Sequence, residues 1–226
     1  MDKIKWIVCT VLFLAFLAPV LYGEECSSCH AAKGVQEKSP DIPPVKMRVE
    51  GKEWQLTLAD AFRFHGHSCP GVTTAFLALQ YGIQRLYGNE IPERDDLVIF
   101  SKTPTAGSLD FLDLAMIGEN RKEKTIAPKG MQSSRENFYF ILYRKSNCMA
   151  VDIHLKPELF PEGFFEYKKK QSAGKLSSEE WDTLHGYMKS IILTFPTKSF
   201  ETLFGSPEPY PMIPWGLEPI PAHGRE

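Results

Sequence analysis

The segment FHGHSCPG, residues 64–71, constrains the fold of this chain more than any other stretch. It places two imidazoles and one thiol within five residues and ends in a proline and a glycine. Gly66 lets the backbone bend without steric cost, so His65 and His67 need not point to opposite sides as in a plain strand. Pro70 suits the first residue of a helix, where its missing N–H is harmless. The segment therefore predicts a turn leading into a helix, with Cys69 at the helix amino terminus.

The side chains of His65, His67 and Cys69 predict a site for a transition metal. Imidazole nitrogen and thiolate sulfur suit zinc, iron, nickel and copper, and they are poor ligands for magnesium and calcium. The amino terminus of a helix also favours the thiolate form of Cys69. Three protein ligands leave an open coordination position, as in reactive zinc sites, and Asp110 or a water could fill it. The alternative is a turn before a buried helix, with a core cysteine and two solvated histidines.

The same segment resembles the F-H-G-H-x-C-P-G motif of the FmdE family, which comprises one component of formylmethanofuran dehydrogenase and its stand-alone relatives. The likeness continues through the following helix, FHGHSCPGVTTAFLALQYGIQRLYG, and more loosely over residues 57–204. It implies a single α+β domain, a mixed or antiparallel sheet packed by helices, with a transition-metal site usually holding zinc. This chain departs from the family in two places. It reads TAGS at residues 105–108, where many relatives have a cysteine, and it lacks the Cys-rich zinc finger that ends some of them.

Residues 1–23 predict an export signal. Lys3 and Lys5 precede an apolar run at residues 6–17, and the segment closes at Gly23 before a polar start. An uncleaved anchor is the competing interpretation. In both cases we expect the remaining chain to lie outside the cytoplasm, in a bacterial periplasm, and to meet a membrane only through this segment.

The segment CSSCH, residues 26–30, follows the signal closely and has the C-x-x-C-H pattern of covalent c-type haem attachment. Cys26 and Cys29 can each form a thioether to a haem vinyl group, and His30 then becomes an axial iron ligand. We therefore expect haem c as a second cofactor. The alternative is a small disulfide or redox pair with an incidental histidine. Too few residues follow before Pro40 for a whole cytochrome c domain, so a haem would have to lie against the next domain.

The rest of the chain divides into three parts. Residues 24–44 hold the haem motif and a proline-bearing linker, residues 45–205 form the metal-binding domain, and residues 206–226 form a Pro-rich tail. Apolar residues at helical spacing after Pro70, ended by Gly88, predict the core helix. Other patterns predict helices capped by Thr57 and Ser177 and opened near Gly107, and strands at residues 45–49, 97–100, 138–143 and 149–155.

Five cysteines are present, of which Cys9 lies in the signal and two lie in the haem motif. Cys69 and Cys148 remain, and in an oxidising compartment they could form a disulfide. The two histidines beside Cys69 favour a metal ligand instead. The sequence leaves both interpretations open.

The charge balance predicts no nucleic-acid partner, because 26 basic and 28 acidic residues give a net charge of −2 and the sequence shows no basic stripe. We infer an exported metalloprotein with a redox or electron-transfer role, served by a redox partner or a small-molecule substrate. The alternatives are a non-catalytic metal-binding or delivery module without haem, and a cytochrome whose second domain only positions the haem. Predicted export and the missing zinc finger argue against formylmethanofuran oxidation itself. The sequence leaves open whether the chain is an enzyme and whether it forms a homodimer.

Overall fold

A computed structural model describes residues 39–103, 105–116, 125–126 and 134–214. The predicted signal, the C-x-x-C-H motif with Cys26, Cys29 and His30, and the last part of the Pro-rich tail lie outside the described residues. The structure therefore bears on the metal-binding domain and on the beginning of the tail.

The described residues form an α+β fold, as the sequence predicts. Its helices and strands follow in one list: β1 (Val45–Val49), β2 (Lys52–Leu56), α1 (Leu58–His65), α2 (Pro70–Tyr87), β3 (Leu97–Ser101), α3 (Ala106–Met116), β4 (Thr125–Ile126), β5 (Tyr139–Arg144), β6 (Met149–His154), α4 (Phe164–Ser172), α5 (Ser178–Thr194), α6 (Phe200–Phe204) and β7 (Tyr210–Pro211).

Two sheets are present among these elements. β1 and β2 form an antiparallel hairpin, and the other five strands form a sheet of order β4-β3-β5-β6-β7. In the larger sheet β3 and β4 run parallel and the remaining pairs are antiparallel. The parallel β3–β4 pair in an otherwise antiparallel sheet confirms the prediction of a mixed sheet packed by helices. β5 has apolar residues on both faces, as expected of a strand with a neighbour on each side.

Helix α2 is the centre of the core. It begins at Pro70 and ends at Tyr87 with Gly88 as its C-cap, as its sequence predicts. It packs against β5, β6 and α3. Phe76 and Leu79 on this helix are fully buried. Burying each such side chain contributes roughly 1.5–3 kcal/mol. The amino end of α2 is therefore held in place by the whole length of the helix behind it.

The described part of the tail lies against the domain. The Tyr81 hydroxyl donates to the Gly205 carbonyl at 3.0 Å, and Arg85 Nε donates to the Pro207 carbonyl at 2.9 Å. β7 then pairs with β6. The start of the tail is thus fixed to α2 and to the sheet.

Within the described ranges, none of the helices combines the length and the apolar composition that crossing a membrane requires.

Candidate metal centre

Two helix ends place the residues of the candidate site. α1 starts with a capping box in which Thr57 and Asp60 exchange side-chain-to-backbone hydrogen bonds, and it runs to His65. Gly66 ends it in the left-handed region, with φ 93°, and its N–H donates to the Phe62 carbonyl at 2.9 Å. Any residue with a Cβ is strained at that φ, so the glycine makes the tight turn after His65 possible.

The chain reaches α2 within three residues of that turn. Cys69 is the N-cap of α2, with φ −140° and ψ 134°, and Pro70 is the first helical residue. The predicted roles of Gly66, Cys69 and Pro70 are therefore all found. The result is a short connection that holds two imidazoles and a thiol between two helix ends.

His65, His67 and Cys69 form one cluster. Each offers a ligand atom, and these atoms all lie within 4.8 Å of one another. The two imidazole rings lie 4.4 Å apart, centroid to centroid, with their planes inclined by 40°. A nitrogen, nitrogen and sulfur donor set at these separations suits a zinc-sized ion.

Asp110 on α3 orients the His65 ring. Its Oδ2 lies 2.6 Å from His65 Nδ1, and the His65 side chain is only 4% exposed. The sequence suggests Asp110 as a fourth metal ligand. In the structure its carboxylate instead contacts Nδ1 of His65, the ring nitrogen that we do not assign to the metal. Neutral His65 then carries its proton on Nδ1 and presents a lone pair at Nε2.

The Nε2 atom of His65 is buried and has no hydrogen-bond partner among the described residues. An unpartnered buried nitrogen is unfavourable, by about 1–3 kcal/mol. A metal bound at Nε2 would satisfy it. Carboxylate, imidazole and metal in this order are the usual arrangement at histidine-ligated metals, where the carboxylate fixes the ring and raises the basicity of the ligand.

Gly107 gives the Cys69 sulfur its space. A Cβ added at Gly107 would lie 2.7 Å from Cys69 Sγ and 3.2 Å from Val72 Cγ2, so only glycine permits this contact. Beside it, the Thr105 hydroxyl donates to the Ser108 hydroxyl at 2.8 Å, and Ser108 donates to the Gly71 carbonyl at 3.0 Å. Together these contacts join the start of α3 to the start of α2.

Electrostatics in the cluster favour a thiolate beside an imidazolium when no metal is bound. Burial raises the pKa of Cys69, but the adjacent imidazoles of His65 and His67 favour the thiolate, outweigh the effect of burial and bring the pKa to about 6. Burial lowers the pKa of His65, but Cys69 and Asp110 outweigh it and raise the pKa to about 9. The thiolate needed for metal binding is therefore present at neutral pH.

The other candidate residues lie away from this cluster. Cys148 occupies the β5–β6 turn, is exposed, and is a free thiol like Cys69, so the disulfide between them is not found. His154 lies at the end of β6 against the Tyr139 ring, with its Nε2 buried and without a hydrogen-bond partner among the described residues, and His185 stacks on Trp181.

Two residues that shape the site were not recognised in these roles from the sequence. The sequence suggests Asp110 as a metal ligand or as an acid that favours a helix amino terminus, and Gly107 as the start of a helix. A carboxylate near a helix start and a glycine in a T-A-G-S run are too common to indicate a metal site. Both are identified by contacts across the fold to residues about forty positions earlier.

No protein-family model matches the chain. No curated protein matches it either. Three chains among solved structures are similar to it. One is a tungsten formylmethanofuran dehydrogenase FmdE-like protein from Syntrophus aciditrophicus, with 18% identity and a TM-score of 0.43 over 72% of this chain and 74% of that chain. At this identity and TM-score we assign the chain to no family.

Proposed function

We propose that this chain is a metal-binding protein whose residues 64–71 hold one transition-metal ion, zinc in the first place. His65 would bind through Nε2, and His67 and Cys69 would supply the second nitrogen and the sulfur. The buried, unpartnered Nε2 of His65 is the observation that carries the proposal, because the neighbouring Asp110 leaves that nitrogen free to bind a metal.

Three protein ligands support a reactive rather than a purely structural site. Structural zinc sites are closed by four protein ligands, whereas catalytic sites keep one position for water or substrate. Zinc bound here would act as a Lewis acid and lower the pKa of a bound water. Around it, Asp110 would hold the His65 ring in position and Gly107 would leave room for the sulfur. The Asp110 side chain is 44% exposed, so solvent reaches the edge of the site.

The experiment is elemental analysis and zinc titration of the purified protein beside two cysteine variants. We expect about one zinc per wild-type chain, strongly reduced binding in Cys69→Ser, and unchanged binding in Cys148→Ser. Circular dichroism should show the same helix content in all three proteins. Equal zinc content in both variants and the wild type would contradict the proposal.

We also propose that the exported chain carries a c-type haem on Cys26 and Cys29 with His30 as iron ligand, and that this haem carries the redox role, because zinc at the other centre would not change its oxidation state. The C-x-x-C-H pattern after a predicted signal supports this. Mass spectrometry of the chain from a host with active haem ligation should show a haem-sized addition on the peptide that contains residues 26–30. An unmodified peptide would remove the haem and leave the metal centre as the functional unit.

A further inference from the structure

A second candidate site lies at the tip of the β1–β2 hairpin. Here a cleft of about 280 Å³ is lined by Val49, Lys52, Glu53, Trp54 and Arg94. The hairpin is tied to the segment before Arg94, because the Arg48 N–H donates to the Pro92 carbonyl at 2.7 Å and Arg48 Nη1 donates to the Ile91 carbonyl at 3.1 Å. Two parts of the chain therefore hold the walls of the cleft together.

The cleft contains Arg94, whose Nε atom has no partner among the described residues. Arg94 Nε is buried and has no hydrogen-bond partner among the described residues, and no ion pair of Arg94 is found there. Leaving a buried donor of a charged group unpaired is more unfavourable than leaving a neutral one unpaired. A guanidinium presents its donors in a planar fork that matches a carboxylate. Arg94 thus offers the group that a bound anion would need.

The other charges in the cleft also favour an anion. Lys52 and Trp54 lie on one face of β2, two residues apart, and Lys52 forms no ion pair in the described part of the chain. Glu53 is the acidic residue in the lining, and its Oε1 already accepts from Gln55 Nε2 at 2.9 Å and lies 4.0 Å from Lys46 Nζ. The lining therefore holds two cations and one acid, a charge balance that favours an anionic ligand.

The size and the apolar lining narrow the class of ligand. A volume of about 280 Å³ lies just below the usual range of small-molecule sites, roughly 300 to 1,000 Å³, and this favours a small ligand. The Trp54 indole and Val49 offer apolar surface that inorganic phosphate would not use. We propose that this cleft binds a small organic carboxylate with a flat apolar body, the carboxylate on Arg94 and the body against Trp54. The proposal does not depend on the metal centre.

The test is a titration of the full chain as purified, in which the NMR resonance of Arg94 separates binding in this cleft from binding at the metal centre. Benzoate is the probe, benzyl alcohol the neutral control, and inorganic phosphate the control for charge alone. We expect heat of binding with benzoate and a shift of the Arg94 Nε–Hε resonance in the NMR spectrum, and neither with benzyl alcohol. Arg94→Gln should weaken benzoate binding about tenfold or more, since a charge-assisted pair is lost.

Two further variants keep the test decisive. Lys52→Gln changes an exposed side chain, so we expect the fold to be kept and the affinity for benzoate to fall severalfold. Arg63→Gln removes one positive charge from an exposed position on α1 and should leave binding unchanged. An unshifted Arg94 resonance, equal affinity in Arg94→Gln, or phosphate binding as tightly as benzoate would overturn the proposal.

Discussion

Gly107 adds no side chain to the metal centre, yet it determines where the Cys69 sulfur can lie. Alanine is the better helix former by about 1 kcal/mol, so on propensity alone Gly107→Ala should stabilise α3. The added Cβ would lie 2.7 Å from the Cys69 sulfur, and we expect this steric clash to outweigh the gain in helix propensity. Zinc affinity should fall by about tenfold or more.

Gly186 on α5 provides the matched control, because a Cβ added there meets nothing within 4 Å. Gly186→Ala should leave zinc affinity unchanged and raise the free energy of unfolding by about 0.5–1 kcal/mol. Competition titration with a chromophoric chelator measures both affinities. Wild-type affinity in Gly107→Ala would show that the sulfur has room to move.

Asp110 acts on the site through His65. Asp110→Asn keeps the shape of the side chain but removes the negative charge beside His65 Nδ1. We expect zinc affinity to fall roughly 10- to 100-fold, the range for residues that hydrogen-bond to metal-bound histidines. Asp182→Asn, an exposed change on α5, controls for net charge. Isothermal calorimetry at one ionic strength compares the two, and equal affinities would exclude an orienting role for Asp110.

The pKa values of Cys69 and His65 predict how the metal-free protein responds to pH. The Cys69 pKa falls from 9.0 to about 6, so its contribution to stability is full above the unfolded value and is lost as pH falls through about 6. The His65 pKa rises from 6.5 to about 9, so its contribution is full below the unfolded value and is lost as pH rises through about 9.

Between these limits the two effects on proton uptake cancel, because folding only moves a proton from the thiol to the imidazole. Urea unfolding across the pH range should therefore show a difference between wild type and Cys69→Ser that is largest and nearly constant from pH 6.5 to 9. Both shifts arise largely from one thiolate–imidazolium pair, so the difference should shrink below pH 6, where the thiol is protonated, and above pH 9, where the imidazole is neutral. A difference that keeps growing above pH 9 would mean that His65 carries no extra proton at neutral pH.

At the scale of elements, helix α5 tests whether the site is independent of the rest of the fold. Ser177 caps α5 by accepting from the Glu180 N–H at 3.2 Å, and the Glu180 carboxylate accepts from the Ser177 N–H at 3.0 Å. Ser177→Ala should lower the free energy of unfolding by about 0.5–2 kcal/mol. Since the metal cluster lies between α1 and α2, zinc stoichiometry should not change. Loss of zinc in this variant would show that α5 supports the site directly.

At the scale of the whole molecule, the parts predicted from sequence are those with local causes. Thr57, Pro70, Gly88 and Ser177 determine helix ends through contacts within a few residues, and alternation or continuous apolar character marked β1, β5 and β6. The orienting contact from Asp110 to His65 spans 45 residues, and the pairing of β3 with β4 depends on how a long connection returns. Such contacts depend on the assembled core, which no local pattern specifies.

The larger sheet also has an uneven distribution of strand lengths. Its three long strands, β3, β5 and β6, lie inside, and in the described part of the chain each outer strand is two residues long. β7 contains Pro211, which has no N–H to offer a further strand. β7 therefore offers another chain only a short edge that a proline interrupts, and this disfavours edge-to-edge pairing at that strand.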